Sequence, residues 1–228
     1  MHDDEPLLRP SEYTAALIQV LRARAAWAKG AAALEIGLGS GVVLAALGAL
    51  GAASLCGVDI EGEAVAAGAR LLHALGYGEC ARLHCGDMWA PLAGRRFDLI
   101  AANLPHFPME AGGMAGRLPS WSCGGADGRR LLDRFLAGLP AHLAPGGRAV
   151  ITHNAFVGLD RSRVLAGQGG LALRIAMTVL VHISRDKLAL MTPGILAAED
   201  ERTIHRYGPY AFAEMHVVEL ARPEALGD

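Results

Sequence analysis

Apolar positions along this chain fall into two alternating patterns. One recurs at helical spacing: Ala15, Leu17, Ile18, Leu21 and Ala25 put an apolar stripe on a helix over 11–29, with Ser11 as N-cap and Glu12 in the first turn. The other is a short continuous apolar run closed by a glycine or an acid, the mark of a strand. Such runs stand at 32–36, 54–59, 81–85, 97–102 and 148–153. Between them, 42–50, 61–75 and 129–143 read as helices, the last followed by the turn Pro145-Gly146-Gly147. A helix over 160–167 then precedes two strand-like runs, 171–183 and 214–220, with little helix between them.

Strands alternating with helices imply βαβ units. The expected fold is α/β: a Rossmann-like, doubly wound, seven-stranded and mostly parallel sheet with a C-terminal antiparallel hairpin at one edge. No repeat or linker divides the chain, so one domain is expected over 1–228, with a helical segment at 1–30 and a Gly- and Pro-rich loop at 103–128. In open parallel sheets ligands bind at the carboxyl ends of the strands, so the chemistry is sought there.

Composition narrows the function classes. At 52% hydrophobic and 19% charged residues, the 228-residue chain can bury a sizeable core and is too apolar to be disordered. A net charge of −2 supplies no field for nucleic acid. The acidic start lacks an apolar signal region, and no apolar run reaches the roughly 20 residues needed to cross a bilayer. A cytoplasmic protein without a membrane partner is expected. Cys56, Cys80, Cys85 and Cys123 form no CxxC pair and are expected as buried, reduced thiols. His84 with Cys85, and His142 with His153, lack zinc spacing, and no metal is expected. Glycine is the unusual component, at 29 residues.

Several of those glycines stand at a strand end. The first strand closes in Glu35-Ile36-Gly37-Leu38-Gly39-Ser40-Gly41, where glycines permit a sharp turn and the next helix offers its free N–H groups. A nicotinamide fingerprint, G-x-G-x-x-G, would need glycine where Val42 stands, and the chain's lysines, Lys29 and Lys187, form no Tyr-x-x-x-Lys pair. The spacing with Glu35 instead suits an adenosyl sulfonium bearing an amino group. Asp59, with Ile60 beside it, ends the second strand 22 residues after Gly37, where a carboxylate can accept both ribose hydroxyls. Asp87 and Met88 follow the third strand and suit an adenine amino group and ring.

The fourth strand runs into Asn103-Leu104-Pro105-His106-Phe107. Here the chain resembles the class I S-adenosylmethionine-dependent methyltransferases that act on planar nitrogens, whose motif is Asn/Asp-Pro-Pro-aromatic. Arg9-Pro10-Ser11-Glu12-Tyr13-Thr14 and Gly124-Gly125-Ala126-Asp127-Gly128 are similar to segments of the release-factor glutamine methyltransferases in particular. The resemblance covers about 9–153 and implies S-adenosylmethionine as cofactor, held by Glu35, Gly37, Gly39, Gly41, Asp59, Ile60, Asp87, Met88 and Asn103. It also implies that Asn103 and the Leu104 carbonyl orient the acceptor nitrogen, with Pro105 and His106 completing the catalytic motif. The amide lone pair is delocalised, so orientation toward the methyl is the chief gain. His106, Phe107 and Trp121 are expected to line the acceptor.

The motif departs from the family in two places: Leu104 replaces a proline, and His106 an aromatic whose role Phe107 could take. The helical N-terminal domain with which release-factor methyltransferases grip their substrate is not expected. Recognition of a peptide, protein or small-molecule substrate therefore falls to the N-terminal helix, the 106–127 loop and the C-terminal hairpin. That loop carries Met109, Met114, Leu118 and Trp121 as an apolar cover, and Arg117 within it, with Arg129 and Arg130 just after it, read as anion ligands or solvated surface arginines. Ser120, Ser122 and Cys123 have no nucleophile context. Three other readings stay open: a tailoring methyltransferase acting on a small metabolite at O, C or N, a nicotinamide-dependent oxidoreductase, and a non-catalytic cofactor-binding module.

Overall fold

The computed structural model describes residues 9–110 and 121–226. Backbone contacts group the chain into two compact units, Met1–Asn103 with His142–Val150, and Leu104–Ala141 with Ile151–Asp228.

The first unit holds α1 (Glu12–Ala23), α2 (Ala25–Ala28), β1 (Ala32–Ile36), α3 (Val42–Ala49), β2 (Ser54–Asp59), α4 (Gly62–Ala74), β3 (Ala81–Cys85), β4 (Phe97–Ala102) and the first residues of β5 (Leu143–Asn154). The expected helix over 11–29 breaks at Arg24, whose backbone (φ −112°, ψ 30°) is not helical. Strand order is β3-β2-β1-β4-β5, with β1 parallel to β2 and β4, and β2 parallel to β3. Ala33, Leu34, Leu55, Leu99 and Ile100 are buried, which is why these strands carry no polar alternation. α3 packs on β1 and β2, and α4 on β2 and β3. The two helices meet at a glycine pair: a Cβ on Gly41 would stand 2.9 Å from the Cα of Gly68.

The second unit holds the rest of β5 and α5 (Arg130–His142, through Ala141), α6 (Leu159–Gln168), β6 (Ala172–Ile183), α7 (Arg185–Ala189), α8 (Pro193–Glu199), β7 (Ile204–Tyr207), β8 (Tyr210–Ala221) and α9 (Pro223–Leu226). β8 lies between β5 and β6 and runs antiparallel to β6 along almost its whole length. Among the described residues the strands number eight, not seven: β7 pairs antiparallel with the start of β8. Its sequence, Ile204-His205-Arg206-Tyr207, has one buried residue and no apolar run, as suits a short edge strand. The β6–β8 connection is also not a simple hairpin, because α7, α8 and β7 intervene.

Among the described residues no helix is long and apolar enough to cross a membrane. The cysteines form no disulfide; Cys56 and Cys123 are buried, but Cys80 is half-buried and Cys85 exposed, since β3 closes the first unit's strand order.

Candidate functional site

In the first unit the strand ends form a tied loop. Gly37 and Leu38 both donate their N–H groups to the Val58 carbonyl, at 2.9 and 3.1 Å, which swings the chain from β1 across the end of β2. Gly39 N–H donates to Asp59 Oδ2 and Glu61 N–H to Asp59 Oδ1, both at 2.9 Å. Asp59 therefore fixes the loop and still keeps acceptor capacity, because a carboxylate offers about four lone-pair positions. Gly39 has φ +50°, and a Cβ there would meet nothing within 4 Å, so the loop faces open space at this point. Beside it, Ile60 is 70% exposed. Gly41 has another use: its N–H donates to the Leu38 carbonyl at 2.8 Å, and its missing Cβ is what lets Gly68 approach.

Glu35 is buried, and its Oε2 accepts the Leu44 N–H at 2.9 Å in the first turn of α3, where a helix favours an acid. Burial drives its carboxyl well above the usual carboxylate range; the Leu44 bond opposes this and the charge of Asp59 adds to it.

The end of β3 is tied to the end of β2 by Gly86 N–H donating to the Asp59 carbonyl at 2.8 Å. Asp87 is exposed, and Met88 is buried at φ +50°. That backbone costs a non-glycine residue about 1–3 kcal/mol and persists only where neighbours impose it. Trp89 supplies the anchor, stacked on His142 at 4.5 Å with planes 7° apart. At the end of β4, Asn103 Nδ2 donates to Thr14 Oγ1 at 3.4 Å, and the same oxygen accepts the Ser11 N–H at 3.3 Å. The segment around 9–14 thus lies against the motif asparagine.

The remainder of the motif belongs to the second unit. Leu104, His106 and Phe107 are buried. A carbonyl can only accept, so the 2.5 Å contact between His106 Nδ1 and the Leu104 oxygen is an Nδ1–H bond. Burial first, opposed by that bond and assisted by the charges of Lys187 and Arg129, pushes the imidazole down to about 4. The two arms of the loop zip together: Phe107 N–H donates to Ser122 O (2.9 Å), Gly124 N–H to Phe107 O (2.8 Å) and Met109 N–H to Gly125 O (3.0 Å). Phe107, expected to line the acceptor, is buried among the described residues. Its ring packs edge-on to Phe156 at 5.7 Å, under the Lys187 ammonium at 4.7 Å. Trp121 is 38% exposed on the returning arm. The expected Met114, Arg117, Leu118 and Ser120 lie outside the described residues.

Glycines 124 and 128 clamp this motif. A Cβ on Gly124 would stand 2.7 Å from His106 Cα and 2.5 Å from Gly128 O; one on Gly128 would stand 2.8 Å from His106 O. Gly124→Ala is expected to destabilise the protein by about 1–3 kcal/mol, as overpacking against backbone does. Gly194→Ala, where a Cβ would meet nothing within 4 Å, is the control and should be neutral or slightly stabilising in thermal unfolding. Equal melting temperatures for the two variants would remove the clamp.

Of the expected arginines, Arg129 is neither an anion ligand nor a solvated residue. It is 2% exposed and donates to Asp133 Oδ1 (2.8 Å), the Val157 and Gly158 carbonyls (2.5 and 3.0 Å) and Ser162 Oγ (3.0 Å). Ser162 O–H in turn donates to His153 Nε2 at 2.8 Å, and His153 Nδ1–H to Asn154 O at 2.9 Å. Burial, with the neighbouring His106 and Arg129, holds His153 down at about 3, a neutral core histidine. Arg130 is exposed and donates to Cys123 O at 3.2 Å. Sequence reasoning missed Thr192, whose N–H donates to Pro108 O (2.8 Å) and whose hydroxyl donates to Ala126 O (2.6 Å), stitching the β6–β7 connection to the loop. No local pattern announces that contact. Tyr207 and Tyr210 flank the β7–β8 turn and are exposed, with Phe212 and His182 beside them.

Comparison with known proteins follows the same lines. The family described as a methyltransferase domain matches residues 33–115. The ribosomal protein uL3 glutamine methyltransferase of Bradyrhizobium diazoefficiens is 37% identical over 42% of this chain and 31% of its own. Methyltransferase HEMK2 of Mus musculus is 34% identical over 60% of this chain and 67% of its own. Across the first curated relatives it matches, the chain spans less than two thirds of their length. Among solved structures, the Thermus thermophilus 16S rRNA N2 G1207 methyltransferase in complex with AdoMet and guanosine shares the fold, with a TM-score of 0.57 and 17% identity over 96% of this chain and 45% of its own.

Proposed function

The chain belongs to the class I S-adenosylmethionine-dependent methyltransferases, in the branch of the release-factor and ribosomal-protein glutamine methyltransferases, and from that premise we propose that it methylates an amide nitrogen of a protein. The observation that carries this reading is the sequence closing β4, an asparagine followed by a carbonyl whose next residue is proline. An amide nitrogen carries two N–H bonds and a delocalised lone pair. Asn103 Oδ1 and the Leu104 oxygen accept those bonds, which turns the lone pair toward the methyl and stabilises the charge that develops.

The residues at the strand ends suit S-adenosylmethionine, which when bound supplies an electrophilic methyl on its sulfonium. Open space at Gly39, the unspent acceptor capacity of Asp59 and the 70% exposed Ile60 match a small ligand, a ribose diol and an adenine face. Asp87 and the buried Met88 would border the same ring, and Asn103 the methionine part. Glu35 would pair through its carboxylate with the cofactor's ammonium. No further base is needed, because the methylated nitrogen is acidic enough to lose its proton to water.

Two measurements test this. Labelled S-adenosylmethionine is incubated with purified ribosomal protein uL3 and with a peptide-chain release factor, and methylglutamine is sought by mass spectrometry; a small-metabolite enzyme would bind cofactor and label neither. Calorimetry with S-adenosylhomocysteine tests Glu35. Its carboxyl is raised by burial, and pairing with an ammonium favours the ionised form, so binding expels a proton wherever the free-state carboxyl is still protonated. Affinity should therefore climb with pH until the free-state carboxyl is fully ionised, and heats in Tris and phosphate should differ by the released proton. Glu35→Gln keeps an acceptor for Leu44 N–H but loses the charge. It should weaken binding about tenfold to a hundredfold, the worth of a charge-assisted hydrogen bond, and abolish the buffer dependence. Buffer-independent heats in the wild type would reduce Glu35 to an anchor of α3.

A further inference from the structure

His106 stands where the resembling motif has an aromatic ring, and it makes a bond that phenylalanine or tyrosine cannot make from that position. Its Nδ1 lies 2.5 Å from the carbonyl oxygen of Leu104, two residues back. That carbonyl has little else to aim it. Its direction follows one torsion, and the next residue, Pro105, has no N–H with which a neighbour could hold the peptide. His106 itself is immobilised: Gly124 and Gly128 press on its Cα and its carbonyl, and Phe107 is bonded on both sides to the returning arm through Ser122 and Gly124. A rigid chain of contacts therefore runs from the glycine clamp through the imidazole to one oxygen atom.

We propose that His106 is a positioning residue: its Nδ1–H occupies one lone pair of the Leu104 carbonyl and thereby holds the other at the angle that accepts an N–H of the acceptor nitrogen. This rests on the acceptor role given above to Leu104 and adds the device that sets it. A carbonyl oxygen has two lone pairs, so the bond from His106 and a bond from substrate coexist. The low basicity of the imidazole keeps it neutral near pH 7, so the acceptor meets an oriented carbonyl and not a cation. The replacement of the aromatic by histidine then substitutes orientation of the carbonyl for stacking on the substrate.

The test compares wild type, His106→Phe and His106→Asn in methyl transfer to uL3 and release factor, with S-adenosylhomocysteine affinity by calorimetry. Asparagine carries Nδ2 on Cγ, as histidine carries Nδ1, and can remake the bond; phenylalanine keeps the ring and cannot. His106→Phe is expected to lower kcat about tenfold to a hundredfold, as misorientation of a reacting group does, with cofactor affinity and KM little changed. His106→Asn should recover most of that loss, and 15N spectra of the wild type should place the His106 proton on Nδ1. Full kcat in His106→Phe, no rescue by asparagine, or a proton on Nε2 would overturn the inference while leaving the roles of Asn103 and Leu104 standing. A wild type that binds S-adenosylhomocysteine yet methylates neither protein would overturn the functional reading, and this inference with it.

Discussion

Asn103→Ala is expected to lower kcat for methyl transfer roughly 10²–10³-fold, the range seen when one preorganised polar group is removed from developing charge. The reason is the acceptor's chemistry. An amide nitrogen is nucleophilic only when its lone pair is turned out of conjugation and aimed, and the N–H bonds that do this strengthen as the nitrogen becomes positive. Such an interaction is made chiefly in the transition state, so its loss falls on kcat and not on KM. Binding of S-adenosylhomocysteine should change far less than kcat, because Glu35 and Asp59 lie on β1 and β2 and keep their bonds to Leu44, Gly39 and Glu61. Thr14 bears on the same atom: by accepting from Asn103 Nδ2 it turns the amide nitrogen away and presents the oxygen. Asn103→Asp keeps an acceptor oxygen and should retain more activity than alanine. Transfer by Asn103→Ala at the wild-type rate would show that the acceptor nitrogen is oriented elsewhere.

How much of this was legible in the sequence differs between the units for a physical reason. β1 and β2 coincide with their expected bounds because a strand buried along most of its length is largely apolar, and the chain advertises that as a run. Glu35, Gly37, Gly39 and Asp59 were readable for a similar reason: a strand-to-helix turn that closes in a few residues needs glycines and short acids in a fixed order. Beyond Leu104 the determinants are long-range. Nothing local announces that Phe107 packs on Phe156, nor marks Thr192 as the residue that holds Pro108 and Ala126. β7 escaped because an edge strand carries polar residues by design, and α7 and α8 escaped because they are too short for a periodic signal. Gly124 and Gly128 were visible as a motif, but their purpose, room for the His106 backbone, exists only in three dimensions.

Arg129 is the clearest case of a residue whose environment reverses its expected role, and its replacement carries the largest expected loss of stability. An arginine after a glycine-rich loop reads as surface or ligand-facing, since arginine is rarely buried unless paired. Here the guanidinium fork is consumed by Asp133, two backbone carbonyls and Ser162, and its i,i+4 pair with Asp133 closes to 2.6 Å. Arg129→Met would leave the Val157 and Gly158 carbonyls, Ser162 Oγ and part of Asp133 without their donor in a dry interior. The expected cost is about 3–5 kcal/mol, that of removing one partner from a buried ion pair. For a chain of this size that lowers the melting temperature by roughly 6–20 °C. Arg129→Lys should recover little, because one ammonium cannot reach acceptors arranged around a planar fork. Arg163→Met serves as the control: its pair with the 91% exposed Asp160 is solvated, and such pairs contribute roughly 0–1 kcal/mol. Because the Ser162 hydroxyl also donates to His153, the Arg129→Met variant should additionally free that side-chain chain of bonds and raise hydrogen exchange around 153–162 before global unfolding. Melting temperatures for Arg129→Met and Arg163→Met within 2 °C or so of each other, roughly the effect of a single kcal/mol, would mean that the buried fork contributes no more than a surface pair.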